Sequence, residues 1–160
     1  MTTVEFQSRH SVEQVEESTG FAPKFGGDGL MPCITSDAQT SEVLMLGWMN
    51  EEALRLTIET GEAHYFSRAR QVLWHKGATS GLVQTVIDAR VDDDQAAIWL
   101  NVDVAGSGAS CHLGYRSCFY LSVPLAETAA QPLTFLAHQN VSDPREVYAD
   151  APPPTHPTPS

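Results

Sequence analysis

The densest group of reactive side chains in this 160-residue sequence lies at residues 111–120, which read CHLGYRSCFY. The segment contains His112, Arg116 and two of the three cysteines, Cys111 and Cys118. Thiolates and imidazoles are zinc ligands, an imidazole also transfers protons, and a guanidinium binds anions. Two thiols supply only half of a tetrahedral zinc site, so further ligands must come from elsewhere.

Three consecutive aspartates, Asp92, Asp93 and Asp94, form a second candidate site between two predicted strands. Adjacent carboxylates repel one another, so the run is unfavourable unless it is solvated or coordinates a cation. In an extended segment Asp92 and Asp94 point to one side and Asp93 to the other. The sequence leaves open an ordinary polar turn and a cation site with two faces.

The positive charges are few and unevenly distributed. A formal charge of −11 argues against a general nucleic-acid binder, which needs a basic face. Five of the nine basic residues nevertheless lie between positions 68 and 116, namely Arg68, Arg70, Lys76, Arg90 and Arg116. This distribution predicts one local site for a small anion such as a phosphate ester, with ordinary surface charges as the alternative.

Residues 72–81, VLWHKGATSG, read as a polar, glycine-bounded loop that contains His75 and Lys76. Its hydroxyls, backbone amides and ammonium group make a plausible phosphate cradle, with an ordinary loop as the alternative. We expect His64 to be a packed or surface histidine. We expect Cys33 to be a core thiol, with a ligand role as the alternative.

Size and composition indicate one soluble domain. No apolar run is long enough to span a bilayer, and residues 1–30 lack the basic start and apolar block of a signal peptide. An odd number of cysteines does not suggest a disulfide framework. We therefore expect a cytoplasmic protein with no membrane or nucleic-acid partner.

The pattern along the chain predicts an α+β fold, a strand-rich single domain with one main helix. Strands are predicted at 30–35, 43–49, 64–67, 82–91 and 96–104. The helix begins after Asn50, a good N-cap, and ends at Gly61, with Ala53, Leu54, Thr57 and Ile58 on one face. The predicted divisions are an N-terminal extension (1–23), the domain (24–125), a C-terminal extension (126–150) and a disordered Pro-rich tail (151–160).

Several long blocks, read together, resemble the phosphoribosyl-AMP cyclohydrolase family of histidine biosynthesis. The resemblance covers about residues 24–120 and is carried by DGLMPCI, EVLMLGWMNEEAL, TGEAHYFSRARQVLWHKGATSG, ARVDDDQAAIWL and CHLGYRSCFY. It implies an intertwined homodimer with Zn²⁺ and Mg²⁺ at a site shared between subunits. It also implies hydrolytic opening of the adenine ring of 1-(5-phosphoribosyl)-AMP at the C6–N1 bond, the third step of the pathway.

The resemblance also implies metal ligands. Two of the family's zinc cysteines match Cys111 and Cys118, and the third aligns with Asp93. The first two aspartates of the family's magnesium motif match Asp92 and Asp94, whereas the third aligns with Ala96. The two departures replace one thiolate by a carboxylate, which zinc also accepts, and remove one oxygen ligand from the magnesium set.

The remaining roles follow from residue type within that resemblance. His112, beside a zinc ligand, is the predicted proton shuttle, and a hydroxide attacking C6 of the base is the predicted nucleophile. The predicted substrate-binding residues are Arg68, Arg70, Trp74, His75, Lys76 and Arg116. Two alternatives remain: a diverged member that hydrolyses a related purine nucleotide, and a non-catalytic, zinc-stabilised nucleotide-binding protein.

Overall fold

The computed structural model describes residues 3–111, 113–125 and 132–136. It contains two helices, α1 (Val12–Glu17) and α2 (Glu51–Thr60). Its strands are β1 (Met31–Asp37), β2 (Val43–Met49), β3 (His64–Ser67), β4 (Val72–His75), β5 (Gln84–Val91), β6 (Ile98–Val104), β7 (Leu121–Ser122) and β8 (Thr134–Phe135). The predicted α+β class, strand-rich with few helices in a single domain, is confirmed.

The largest element is a four-stranded sheet in the order β2-β1-β6-β5. The central strand β1 pairs antiparallel with β2 and parallel with β6, and β6 pairs antiparallel with β5. Strand β6 is half-buried, as its alternating sequence predicts, because Leu100 and Val102 lie in the core while Trp99 and Asp103 face outward. The acidic run is the connection between β5 and β6.

Helix α2 begins and ends where its capping residues predict. The Asn50 side chain accepts a hydrogen bond from the Ala53 amide at 2.8 Å, and Gly61 adopts the left-handed φ of 72° that ends the helix. Ala53, Leu54 and Thr57 are buried, and the helix packs on β3, β2 and β4. Ile58, which is predicted on the same face, is exposed.

Strands β3 and β4 form a separate antiparallel hairpin in which His64 pairs with His75 and Tyr65 with Trp74. The prediction that residues 72–81 are all loop is therefore wrong for the first four of them. Their apolar and aromatic side chains pack against the core, which favours pairing with β3 over an exposed loop. Only the residues after His75 form the glycine-bounded loop.

Tyr65 lies at the centre of the core. Its ring packs against the Gly47 backbone so closely that a Cβ there would lie 2.6 Å from Tyr65 Cδ1. Its hydroxyl is 2.7 Å from both Thr35 Oγ1 and Gln84 Oε1. Cys33 is fully buried in the same cluster, and burial raises the pKa of its thiol to about 12, as expected of a core cysteine.

The N-terminal segment packs on the domain through Gln95, the residue that follows the three aspartates. The buried Gln95 amide accepts from Ala22 N at 2.8 Å and donates to Val15 O at 3.0 Å and to Gly20 O at 3.1 Å. The short helix α1, which the sequence does not predict, buries Val15 at this contact. The N-terminal segment is thereby tied to the acidic connection.

The C-terminal part is described only in part. The two-residue strands β7 and β8 pair with each other, and β8 lies inside the predicted C-terminal extension. The rest of that extension and the tail predicted to be disordered lie outside the described residues. Within the described residues, neither helix has the length and apolar character needed to cross a membrane.

Candidate active site

A short loop places Cys111 and Cys118 next to each other. Cys111 N donates to Tyr115 O, and Ser110 N to Arg116 O, both at 3.1 Å, so the chain doubles back within this segment. Gly114, at a φ of 92°, makes the turn. The loop is attached to β2, because Cys118 N donates to Leu44 O at 2.7 Å.

The two thiols have very different proton affinities. The hydrogen bond from Cys118 is the largest cause that lowers the pKa of Cys111 to about 6, helped by two backbone amides and the charge of Lys76. The same contact with the Cys111 thiolate, together with burial, raises the pKa of Cys118. These surroundings favour the thiolate form of Cys111, which is a soft metal ligand or a nucleophile.

Lys76 is buried between this thiol pair and a neighbouring pocket. Its Nζ donates to Ser110 O at 2.8 Å and lies 5.2 Å from the centre of the Trp74 ring. Burial lowers the pKa of its ammonium, and the nearby Cys118 and Cys111 oppose that effect. One cation thus contacts both candidate regions.

The pocket has a volume of about 200 Å³ and lies along β4 and the loop after it. It is lined by Ser67, Arg70, the four residues of β4, Lys76 and residues 77–80. Four of the predicted substrate-binding residues, Arg70, Trp74, His75 and Lys76, are therefore together. The loop passes so close to the next segment that a Cβ on Gly77, whose φ is 92°, would lie 2.3 Å from Val83 N.

His75 belongs to a group of three residues, two of which the sequence does not mark as functional. Its ring stacks on the His64 ring, with 4.5 Å between the ring centres. Its Nε2 lies 2.8 Å from Glu62 Oε2, but the geometry is not that of a hydrogen bond. Burial lowers the pKa of His64. The antiparallel pairing of β3 with β4 produces this group, which no sequence spacing indicates.

The other two predicted substrate-binding arginines do not line the pocket. Arg68 stacks on the Trp48 ring at 4.6 Å. Arg116 is exposed near Asp37, whose pKa is lowered mainly by the Thr40 amide and in small part by Arg116. His112, the predicted proton shuttle, lies outside the described residues.

The three aspartates form a tight, exposed turn, and their ligand oxygens lie within 4.8 Å of one another. Asp92 Oδ1 accepts hydrogen bonds from Ala96 N at 2.8 Å and from Ala97 N at 3.0 Å. The turn is therefore closed by its own carboxylate, as in the polar-turn interpretation. Within the described part of the chain, it is also the one cluster of three or more potential metal ligands.

Asp93 and the thiols do not meet within one chain. Cys118 N donates a hydrogen bond to Leu44 O on β2, at about the position of Leu100 along the sheet. The aspartates instead lie beyond the N-terminal end of β6. Strands rise about 3.3 Å per residue and lie about 4.8 Å apart, so the separation is on the order of 15 Å. Each chain thus presents the predicted ligands as two separate groups.

Comparison with known proteins agrees with the motifs. The phosphoribosyl-AMP cyclohydrolase family model matches residues 45–120. A phosphoribosyl-AMP cyclohydrolase of Nitrobacter winogradskyi is 49% identical over 138 residues, which cover 86% of this chain and 94% of that protein. One from Rhodopseudomonas palustris is 48% identical over 85% of this chain and 92% of that protein. One from Brucella canis is 57% identical over 109 residues, 68% of this chain and 78% of that protein.

The identities to these relatives exceed by a wide margin those that chance or a shared fold alone produces, and the matches cover 78–94% of the relatives' lengths. The matched region includes the helix α2, the pocket, the acidic turn and the thiol loop. The chain belongs to the phosphoribosyl-AMP cyclohydrolase family of enzymes.

Proposed function

We propose that this protein hydrolyses 1-(5-phosphoribosyl)-AMP in histidine biosynthesis, in the cytoplasm. Relatives that carry this enzyme's name over most of the chain support the proposal. The observation that carries it is the thiol pair of Cys111 and Cys118, which shares the buried cation Lys76 with a pocket lined by Arg70 and Trp74. This arrangement combines a place for a soft metal with a place for a phosphorylated aromatic ligand.

The reaction needs a water activated near C6 of the base and a proton at N1. The water oxygen bonds to C6, the C6–N1 bond breaks, and N1 takes up a proton, so one water is consumed. We assign the proton transfer to His112, which follows the thiol Cys111 directly in the chain. Trp74 offers a ring on which the purine stacks, and Arg70 a guanidinium for one phosphate.

One chain supplies two thiols at this site, and thiolates are ligands that suit Zn²⁺. Cys111 and Cys118 lie next to each other, and the lowered pKa of Cys111 favours its thiolate, the form that binds metal. Zinc bound there would lower the pKa of a water molecule so that hydroxide is available near pH 7. Asp93 is the third ligand that we propose, since carboxylates also ligate zinc.

Because Asp93 lies far from the thiols of its own chain, we propose that a second copy supplies it. A homodimer also agrees with an exposed apolar row across the outer face of the sheet. There Ile34 pairs in register with Leu46 on one side and Trp99 on the other, and all three are exposed. Burial of such a row against another copy is favourable.

Asp92 and Asp94 are the proposed Mg²⁺ ligands. Their carboxylates lie within reach of one cation, and Mg²⁺ usually keeps several waters, so two protein ligands suffice. Ala96, in place of a third aspartate, removes one charge from this set. We therefore expect Mg²⁺ to bind through few protein oxygens and to be shared with a substrate phosphate.

Turnover by metal-stripped protein tests the function. We expect activity to return when Zn²⁺ and Mg²⁺ are both restored and to stay low with either one alone. Absence of turnover from folded, zinc-loaded protein would reject the assignment. The departures at Asp93 and Ala96 favour one alternative, hydrolysis of a related purine nucleotide, and a nucleotide screen showing turnover of another compound alone would support it.

Mixing two inactive variants tests the shared site. Asp93→Ala and Cys118→Ser damage different halves, so a mixed dimer keeps one intact site. With random pairing of subunits, about a quarter of the wild-type activity is expected on co-expression. Inactive mixtures that contain mixed dimers would show that both ligands act within one chain or not at all.

A further inference from the structure

We propose that Lys76 is a positioning residue for the thiol pair, and not the phosphate ligand that the sequence predicts. In this role it holds the chain next to Cys111 and supplies one positive charge beside the thiol pair. The inference rests on the proposed function, because it concerns the metal ligands of the same site.

The burial of Lys76 requires a partner. Its side chain is only 5% exposed, and an ammonium in such a place is unfavourable without an opposite charge. Among the residues that the structure describes, no carboxylate forms an ion pair with it. The neighbours whose charge favours the ammonium are Cys118 and Cys111. The thiol pair is therefore its counter-charge.

The hydrogen bonds around Lys76 lead to the residue before Cys111. Lys76 Nζ donates to Ser110 O at 2.8 Å, and Gln84 Nε2 lies 3.3 Å from Ser110 Oγ. Lys76 is itself anchored, since its backbone amide donates to Ala63 O at 3.1 Å. Ser110 is thus held from two sides, which fixes the direction in which Cys111 leaves the core.

Charge balance points the same way. Two thiolates and the carboxylate of Asp93 exceed the charge of Zn²⁺ by one, and the buried ammonium neutralises that excess. Arg70 is placed differently, because it lies on the exposed side of the pocket. A phosphate entering from solvent meets Arg70 first, whereas Lys76 Nζ is directed at a carbonyl and lies over the Trp74 ring.

The test measures Co²⁺ bound by the full-length, metal-stripped protein through its thiolate-to-cobalt absorption, separately from turnover. Lys76→Met removes both the charge and the donor, and Lys76→Gln keeps a donor without the charge. Partners that orient metal ligands are worth about 10-fold to 100-fold in affinity, so we expect Lys76→Met to bind Co²⁺ at least 10-fold more weakly. The other lysine, the exposed Lys24, provides the matched control Lys24→Met, which should bind as the wild type.

If Lys76 binds a phosphate of the substrate instead, its substitution should weaken substrate binding and not metal binding. If Lys76→Met raises KM for the substrate and leaves Co²⁺ affinity and the absorption band unchanged, the proposal is overturned. Lys76→Arg keeps the charge, and partial recovery of Co²⁺ affinity in this variant supports positioning even if Lys76→Met does not fold. Failure of Lys76→Arg to exceed Lys76→Gln in Co²⁺ affinity would refute the charge role.

The outcomes separate this inference from the proposed function. Wild-type protein that binds Co²⁺ through its thiols without turning over phosphoribosyl-AMP rejects the function and leaves the Lys76 comparison measurable. Wild-type protein that shows no thiolate-to-cobalt band overturns both.

Discussion

The thiol loop and the acidic turn are both short connections with metal-binding side chains, yet they are held in different ways. The loop at 110–118 depends on distant parts of the chain: β2 through Leu44, the buried Lys76 and the buried Gln84. The acidic turn is exposed and is closed by its own carboxylate, Asp92. Long-range contacts fix the position of the thiol loop, and its surroundings shift the pKa values of the two thiols. The acidic turn keeps its shape through local hydrogen bonds, but its carboxylates face solvent.

The largest effect is expected from removing a thiol. Chemistry supplied by a bound metal is worth several kcal/mol, so Cys118→Ser should lose zinc and about 1,000-fold in turnover. Zinc content and single-turnover kinetics measure both. Cys33→Ala, which removes a thiol from the core instead, is the control and should keep its zinc. Full activity in zinc-free Cys118→Ser would show that the thiol loop is not part of the active site.

The next effect concerns the pocket loop beside the thiols. Gly77→Ala adds strain at a positive φ and a clash with the Val83 backbone, so it should lower the free energy of unfolding by about 3 kcal/mol. Gly81→Ala separates the two causes, because φ there is 77° but no atom lies within 4 Å of the added Cβ. We expect that control to lose about 1 kcal/mol in urea unfolding. Equal losses would mean that the clash relaxes at no cost.

On the acidic side, Gln95→Glu tests the side-chain hydrogen bonds that attach the turn to the N-terminal segment. The variant keeps the size of the side chain but removes both donors to Val15 O and Gly20 O, which should cost about 2 kcal/mol. Hydrogen exchange should rise in residues 12–24. Gln14→Glu makes the same chemical change within the N-terminal segment, where the side-chain amide bonds locally, to the backbone of residues 8 and 10. If both variants exchange alike, Gln95 does not hold the segment.

Two substitutions of Asp92 distinguish its role in closing the turn from a role in binding a cation. Asp92→Asn keeps the oxygen that accepts from Ala96 and Ala97 and should unfold almost as the wild type does, but should bind Mg²⁺ more weakly. Asp92→Ala removes the acceptor and should lose about 1 kcal/mol of stability as well. Chemical denaturation and Mg²⁺ titration of the two variants are the measurements. Unchanged Mg²⁺ affinity in both would leave Asp92 with the turn role alone.

The smallest effect is expected from a change of pH at and below neutrality. Because the pKa of Cys111 is lowered to about 6 and that of Cys118 is raised, zinc binding at pH 7 should release about one proton, from Cys118. Zinc affinity should therefore fall further once the pH drops below about 6, where Cys111 takes up its proton. Calorimetry in buffers of different ionisation enthalpy counts the protons. Release of two at pH 7 would show that the thiols are not coupled as described.

The sequence alone determined the features that depend on local patterns. The caps at Asn50 and Gly61 delimit α2, and the alternation of residues 98–104 identifies a half-buried strand, because period and capping are properties of neighbouring residues. The sequence blocks identified the family, and charge clustering drew attention to Arg70 and Lys76. The thiol pair was also evident, since Cys111 and Cys118 are only seven positions apart.

Only the tertiary structure decided which of these residues meet. Residues 72–75 are a strand because β3 lies beside them, and the burial of Lys76 follows from its contact with Ser110, 34 residues later in the chain. The order of the sheet separates Asp93 from the thiols, although the three residues lie within one short stretch of sequence. Burial and strand order are sums over many distant contacts, and they set both the charge that a side chain can carry and the partners it can reach.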